Sequence, residues 1–234
     1  MREWIGTGEL AQGGPLVQMT GNGVTRRQRP LKLVYDAVCT ANRSSLEKSL
    51  AGCSRESHSE MIAAFERHMS GIACFCHDSY LGTGTLTTAF IRELHRRHYP
   101  AGYREVQCAP DGEEVVLMVP GEYRTSLVGG GRLDATLAEA VQTASDMQAL
   151  VDDVNATLTG SGSDQHRRDR VVLFGREMVR LQPFTDANER VASILVDLLL
   201  IRAGMAPIYR EDLAERNDRM STAGYGSLMA ASLD

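Results

Sequence analysis

Gln182-Pro183-Phe184-Thr185-Asp186-Ala187-Asn188-Glu189-Arg190 is the stretch that decides how this 234-residue chain reads. A helical pattern runs into it, with Val171, Phe174, Met178 and Val179 on one stripe. A second apolar helix leaves it through Val191, Ile194, Leu195, Leu198 and Leu199. Two helices joined by a tight polar loop leave the first N–H groups of the second helix unpaired and turned into the loop. With the positive end of the macrodipole, they form a ready site for a phosphate. Asp186 suits a divalent metal, Asn188 an oxygen, and Arg190 a phosphate held by two parallel hydrogen bonds. Thr185, Ala187 and Glu189 complete the segment that closes on the anion. The structural alternatives are a helix N-cap for Asp186 and loop pins for Asn188 and Arg190.

Working outward, the chain is one large domain, or one domain with an N-terminal extension. A hydrophobic content of 43% supports a real core, and a net charge of −5 argues against broad nucleic-acid binding. Five cysteines in no regular framework read as reduced thiols. No apolar run approaches the roughly 20 residues needed to span a bilayer, and the first residues lack the apolar core of a signal peptide. A soluble, cytoplasmic protein with no membrane partner is the expectation.

Residues 1 to 28, rich in Gly, Thr and Gln, read as an irregular leader. Pro30 can open a helix carrying Leu31, Val34, Tyr35 and Val38 on one face. Residues 29–80 read as a helical extension. It includes a second helix over 59–77, with Met61, Ala64, Phe65, Met69 and Ile72 inward. A third helix runs from Thr85 to His98, with Leu86, Phe90, Ile91 and Leu94 on its stripe. Glu114 to Val119 is short and β-branched, and Arg124 to Val128 can pair back as the second strand of a hairpin. Gly129-Gly130-Gly131 ends it. Leu133 to Leu158 and His166 to Leu181 return to helix, the second of these continuing to Gln182. Gly204 caps the last helix and Pro207 follows. The tail, 211–234, is charged and then small and polar, with one short helix. Cys74 and Cys76 stand two apart on a helix and face different ways, which argues against a zinc site.

The central stretch resembles the signature loop of the Fic (Fido-domain) family, HPFx(D/E)(G/A)N(G/K)R. Pro183, Phe184, Asp186, Ala187, Asn188 and Arg190 match, while Gln182 stands in the place of the histidine. Gly121-Glu122-Tyr123-Arg124-Thr125 resembles the segment that opens the family's flap. His166 stands where many members carry a histidine, and Gly204-Met205-Ala206-Pro207 resembles a G-x-x-P close. The resemblance covers about residues 80 to 210 and marks 81–210 as a Fic-like core. It implies an all-α fold with a small β-hairpin flap that holds a protein target. It also implies AMP transfer from ATP onto a protein hydroxyl with Mg²⁺, or in some relatives transfer of UMP, phosphocholine or phosphate.

The departures bear on that chemistry. In the family the histidine takes the proton from the attacking hydroxyl, and an imidazole does this near pH 6.5. A glutamine amide orients a hydroxyl but cannot accept its proton, and losing a base typically costs about 10²–10⁴ in rate. His166 lies sixteen positions up the same helix, about 24 Å away at 1.5 Å per residue. His95 and His98 reach the loop only through folding. Glu189 adds a carboxylate beside the presumed phosphate hole, and Ser193 replaces a second arginine. No S/T-x-x-x-E-G/N inhibitory helix is present over Ser44 to Glu60.

These residues suggest a degenerate Fic protein, a pseudoenzyme or regulatory module with a weakened hold on Mg²⁺ and a nucleotide, and an active homologue as partner. The alternative is an active transferase of nucleotidyl or other phosphate-containing groups that uses non-histidine chemistry.

Overall fold

The structure is a computed structural model that describes residues 28–52, 54, 57–82, 84–108, 114–124 and 137–208. Residues 1–27 of the leader expected over 1–28, residues 125–136 and the tail from 209 lie outside the described residues, while Gln28 opens the first helix. With them lie Thr125, the triple glycine, the opening of the helix expected from Leu133 and the short helix expected in the tail.

The chain is mainly helical, with one two-stranded antiparallel sheet, as the sequence predicts. Helices α1 (Gln28–Ala51), α2 (His58–Cys76) and α3 (Thr88–Arg96) precede strands β1 (Glu105–Cys108) and β2 (Glu114–Met118). Helices α4 (Leu137–Thr159), α5 (Asp164–Leu181) and α6 (Asn188–Arg202) follow. A π-helical turn, His77–Leu81, extends α2.

Helix α6 is the centre of the core. Every residue from Ile194 to Leu200 is buried, the mark of a helix enclosed on all sides. Helices α1 and α5 flank it, α2 packs on α1 and α4 on α5. Val34, Ala37 and Val38 bring α1 into this core, so the helix is a packed part of the fold. Gly175 lets α5 approach α6 closely, because an added Cβ would run into the Val196 side chain. In α2 only the C-terminal half is buried, through Met69, Ile72, Ala73 and Cys76; Ala64 is exposed. Cys74 is exposed and Cys76 fully buried, in keeping with two cysteines that face apart.

Side-chain caps set helix boundaries that periodicity misjudged. Thr87 accepts from the Phe90 N–H at 3.1 Å, so α3 opens at Thr88 and not at Thr85. Ser163 accepts from the His166 N–H at 3.2 Å, which starts α5 at Asp164. Asn155 ties the approach to α3 onto α4, donating to the Leu86 carbonyl at 2.8 Å and accepting its N–H at 3.1 Å. Gly204, at φ 76°, closes α6 as expected. Its N–H bonds the Ile201 carbonyl while that of Met205 bonds Leu200, the paired bonds of a Schellman end.

The hairpin is a correction. Strand β2 pairs with β1, before it in sequence, in the register Val106↔Val116, Gln107↔Val115 and Cys108↔Glu114. Arg124, expected to open the returning strand, lies outside any strand. Its backbone and guanidinium are bonded to the end of α5 instead, as described below. No described helix is long and apolar enough to cross a membrane.

Asp197 is buried within α6, and its carboxylate accepts from the Ile208 N–H. Burial raises its pKa well above the ordinary carboxylate value despite that bond. Stability linked to this group is therefore whole at acid pH and is lost as pH rises through the raised value. Asp197→Asn keeps an acceptor for Ile208 and removes the buried charge. Its melting temperature should exceed the parent's at pH 8, with the gap closing as pH falls toward 4, as scanning calorimetry will read.

Candidate active site: the loop between α5 and α6

Helix α5 ends at Leu181, one residue before the expected limit. Gln182 adopts the left-handed conformation (φ 49°, ψ 60°), and its N–H bonds the Met178 carbonyl. Ala187, at φ 60°, is the other non-glycine residue with positive φ among the described residues. Each such residue costs about 1–2 kcal/mol, so the loop between them is held against local strain.

The holding is done mainly by Asn188, which is buried. Its carbonyl oxygen accepts from the Phe184 N–H at 2.9 Å. Its amide donates to the Phe184 carbonyl at 2.8 Å and to Gln182 Oε1 at 2.9 Å. Both amide hydrogens are thereby used inside the loop, and none remains for a ligand oxygen. In the free protein Asn188 pins the loop through these three bonds. Gln182 is likewise engaged: its Nε2 donates to the Val179 carbonyl at 2.7 Å while its Oε1 takes the Asn188 bond.

Phe184 is fully buried and stacks on His95, with ring centroids 3.9 Å apart and planes 9° apart. Tyr123 meets its ring at 5.5 Å. The expected flap segment therefore abuts the signature loop. Arg124 is buried, and its backbone N–H donates to the Pro183 carbonyl at 2.9 Å. Its guanidinium donates to the carbonyls of Gln182 at 2.5 Å and Leu181 at 3.2 Å. A cation thus satisfies the end of α5, where the dipole favours one. Glu122 is exposed, and the Thr185 hydroxyl lies 3.5 Å from the Leu117 carbonyl on β2.

Asp186 is exposed and accepts from the Tyr99 hydroxyl at 3.0 Å and from Arg190 at 3.1 Å. Burial of its surroundings pushes the carboxyl up, but Arg190, the Ala187 N–H, Tyr99 and His95 together hold it below the ordinary value. Arg190 spends its other terminal nitrogen on the Ser45 hydroxyl of α1, 3.2 Å away. The exposed Asp186–Arg190 pair contributes about 0–1 kcal/mol, so a phosphate can compete for the arginine. Ala187 supplies no side-chain cap to α6, whose first turn also carries Glu189.

Asp186 fits a magnesium ion in one way. Mg²⁺ is usually held by one or two carboxylates together with substrate phosphates, and no cluster of three or more His, Cys, Asp or Glu exists among the described residues. A single exposed carboxylate therefore suits the ion only when the ligand brings its own oxygens.

The titratable neighbours of the loop are engaged elsewhere in the free protein. His95 does reach the loop, but its Nε2 bonds the Asp186 carbonyl at 3.1 Å and its Nδ1 takes the Gly121 N–H at 2.8 Å. Burial lowers its pKa to about 4. His98 is buried and lowered to about 3 for the same reason. Glu177 is paired with Arg180 and Arg176. Sequence reading missed the tie of Tyr99 to Asp186, the contact of Ser45 with Arg190 and the linking role of His95. A polar residue beside the Ile91/Leu94 stripe was the available signal. A surface cavity of about 470 Å³ is lined by Phe75, Ser79, Thr85, Thr87, Phe90 and Glu93, none of them from this loop.

Two outcomes follow. Asn188→Ala leaves the Phe184 N–H and carbonyl buried without partners and should destabilise the fold by about 2–4 kcal/mol in urea titrations. For His95 the folded pKa of about 4 lies below the ordinary histidine value of 6.5, so its contribution is whole above 6.5. As pH falls from 6.5 toward 4 the unfolded chain takes up a proton that the folded one refuses, and stability is lost. The melting temperature should fall across this window, and more shallowly in His95→Gln.

A sequence model described as the Fic/DOC family matches residues 85–200. No curated protein matches the chain. Among solved structures, Fic-1 from C. elegans aligns at 22% identity and a TM-score of 0.49, over 88% of this chain and 62% of that one. The chain thus spans less than two thirds of the worm protein's length. A Fic domain containing signaling protein from Bacteroides thetaiotaomicron aligns at 19% identity and a TM-score of 0.45, covering 88% of this chain and 85% of that one. By its match over residues 85–200, carrying the α5–loop–α6 unit, the chain belongs to the Fic/DOC family.

Proposed function

We propose that this protein is a degenerate Fic protein, a pseudoenzyme that binds a nucleotide or other phosphate ligand at the loop and acts as a regulatory module. One observation carries the reading: the Gln182 amide is bonded on both sides within the loop, to Val179 and Asn188. It has no proton-accepting chemistry at working pH. Ligand charge meets the first turn of α6 and Arg190, with Asp186 as the residue that would hold Mg²⁺. The ion, when bound, supplies neutralisation of phosphate charge. An extended target segment fits the flap by strand addition beside β2, whose Val116 and Leu117 are exposed. An active homologue is the partner this reading suggests, in the cytoplasm.

A second reading keeps the scaffold as a working transferase of AMP or another phosphate-containing group. It is favoured by an Asp186 carboxylate that stays exposed and ionised beside Arg190. There the acceptor arrives as its own nucleophile, and Gln182 orients it after releasing Asn188.

Thermal shift with Mg·ATP, Mg·CTP and Mg·UTP separates these readings from a purely structural loop. Ligand at 100 times its Kd adds about 2.7 kcal/mol to stability, and Arg190→Ala should lose most of that gain while Asn188 keeps the loop intact. Auto-modification should be absent in the parent and appear in Gln182→His. Transfer by the parent at rates matching the histidine variant would end the pseudoenzyme reading, and indifference to every nucleotide and to inorganic phosphate would end both.

A further inference from the structure

Helix α3 presents Arg92 and His95 three residues apart, on one face, toward a single residue of the flap segment. Arg92 Nε donates to the Gly121 carbonyl at 2.6 Å, and the Gly121 N–H donates to His95 Nδ1 at 2.8 Å. Both backbone polar groups of Gly121 are therefore held from α3. Only glycine suits the place: φ is +86°, and an added Cβ would lie 2.9 Å from the Arg92 carbonyl oxygen. The opposite edge of the same imidazole donates to the Asp186 carbonyl in the signature loop at 3.1 Å.

These partners fix the ring's chemistry. A carbonyl oxygen only accepts, so Nε2 carries the hydrogen; an amide N–H only donates, so Nδ1 carries the lone pair. One neutral tautomer serves both segments, and its orientation is set further by the stack on Phe184. The ring is fully buried, so either bond, once lost, leaves a polar group without water. A displacement of Gly121 must turn the ring. Turning the ring costs the Asp186 bond or the Phe184 stack.

We propose that His95 is the positioning residue that registers the flap against the signature loop, so that occupancy of one is felt at the other. The phosphate reading above supplies only the identity of the loop's ligand; the link itself rests on the geometry of the free protein. By reciprocity, whatever coupling a docked segment exerts on the loop, a loop ligand exerts on the segment.

Amide hydrogen exchange in the free protein tests this without any ligand. Gly121→Ala should speed exchange at Phe184 and Ala187 about tenfold, within the range of measured couplings, and leave Val151 in α4 unchanged. In a His95→Gln background, which replaces the rigid ring that joins the two bonds by a flexible amide and removes its stack on Phe184, the same glycine change should have no further effect. Equal effects in both backgrounds, or none in either, overturn the proposal. Should His95→Gln not fold, imidazole ¹⁵N spectra of the parent and Gly121→Ala decide. The parent should show the Nε2–H tautomer alone and the variant a mixture, whereas an unchanged tautomer in the variant overturns the link. Because no ligand enters, a protein that ignores every nucleotide and inorganic phosphate sinks the binding reading and leaves this outcome standing by itself.

Discussion

The loop at the heart of this fold depends on one buried carboxamide. Asn188 joins the beginning of α6 to both polar groups of Phe184 and to the Gln182 side chain, across a segment bracketed by two left-handed non-glycine residues. Three hydrogen bonds of about 1 kcal/mol each roughly balance two backbone penalties of about 1–2 kcal/mol. The balance also depends on Phe184, whose burial between His95 and Tyr123 adds apolar and stacking energy. With Phe184 seated, the backbone around Asp186 has little freedom, and α6 starts at a fixed angle to α5.

The charged groups around this frame are arranged in closed pairs. Asp186 faces Arg190 and Tyr99, Arg190 reaches back to α1 through Ser45, and Arg124 spends its guanidinium on carbonyls. The pairs differ in how easily they open. Arg124 is buried against backbone oxygens, whereas in the Asp186–Arg190 pair the carboxylate is exposed and the arginine half-buried, so this pair opens more easily. Asp186 is thus the most accessible charge on the loop, and the buried groups keep the loop in shape.

The helices were legible in the sequence because their apolar residues recur at helical spacing and the core selects for that pattern. The α5–loop–α6 unit was legible for a different reason: Pro183, Phe184, Asp186 and Asn188 each meet a local demand that few other residues meet. Helix starts were misjudged where a hydroxyl cap, Thr87 or Ser163, cut the helix at a point periodicity does not mark. The pairing of β2 with β1 was missed, since short strands carry no record of their partner. The role of Asn188 was left open between pin and ligand contact, because an amide's donors are committed only by three-dimensional neighbours. His95 was hidden for the same reason: both of its bonds cross long stretches of sequence.

The capping of α5 by Arg124 carries a consequence for assembly. The last carbonyls of that helix find their partner 57 and 58 residues away, not in the helix's own neighbourhood. Closing so long an excursion is entropically costly, and the cost grows only slowly with length. The end of α5 is therefore completed by tertiary structure, and a change at Arg124 reaches a helix far from it in sequence.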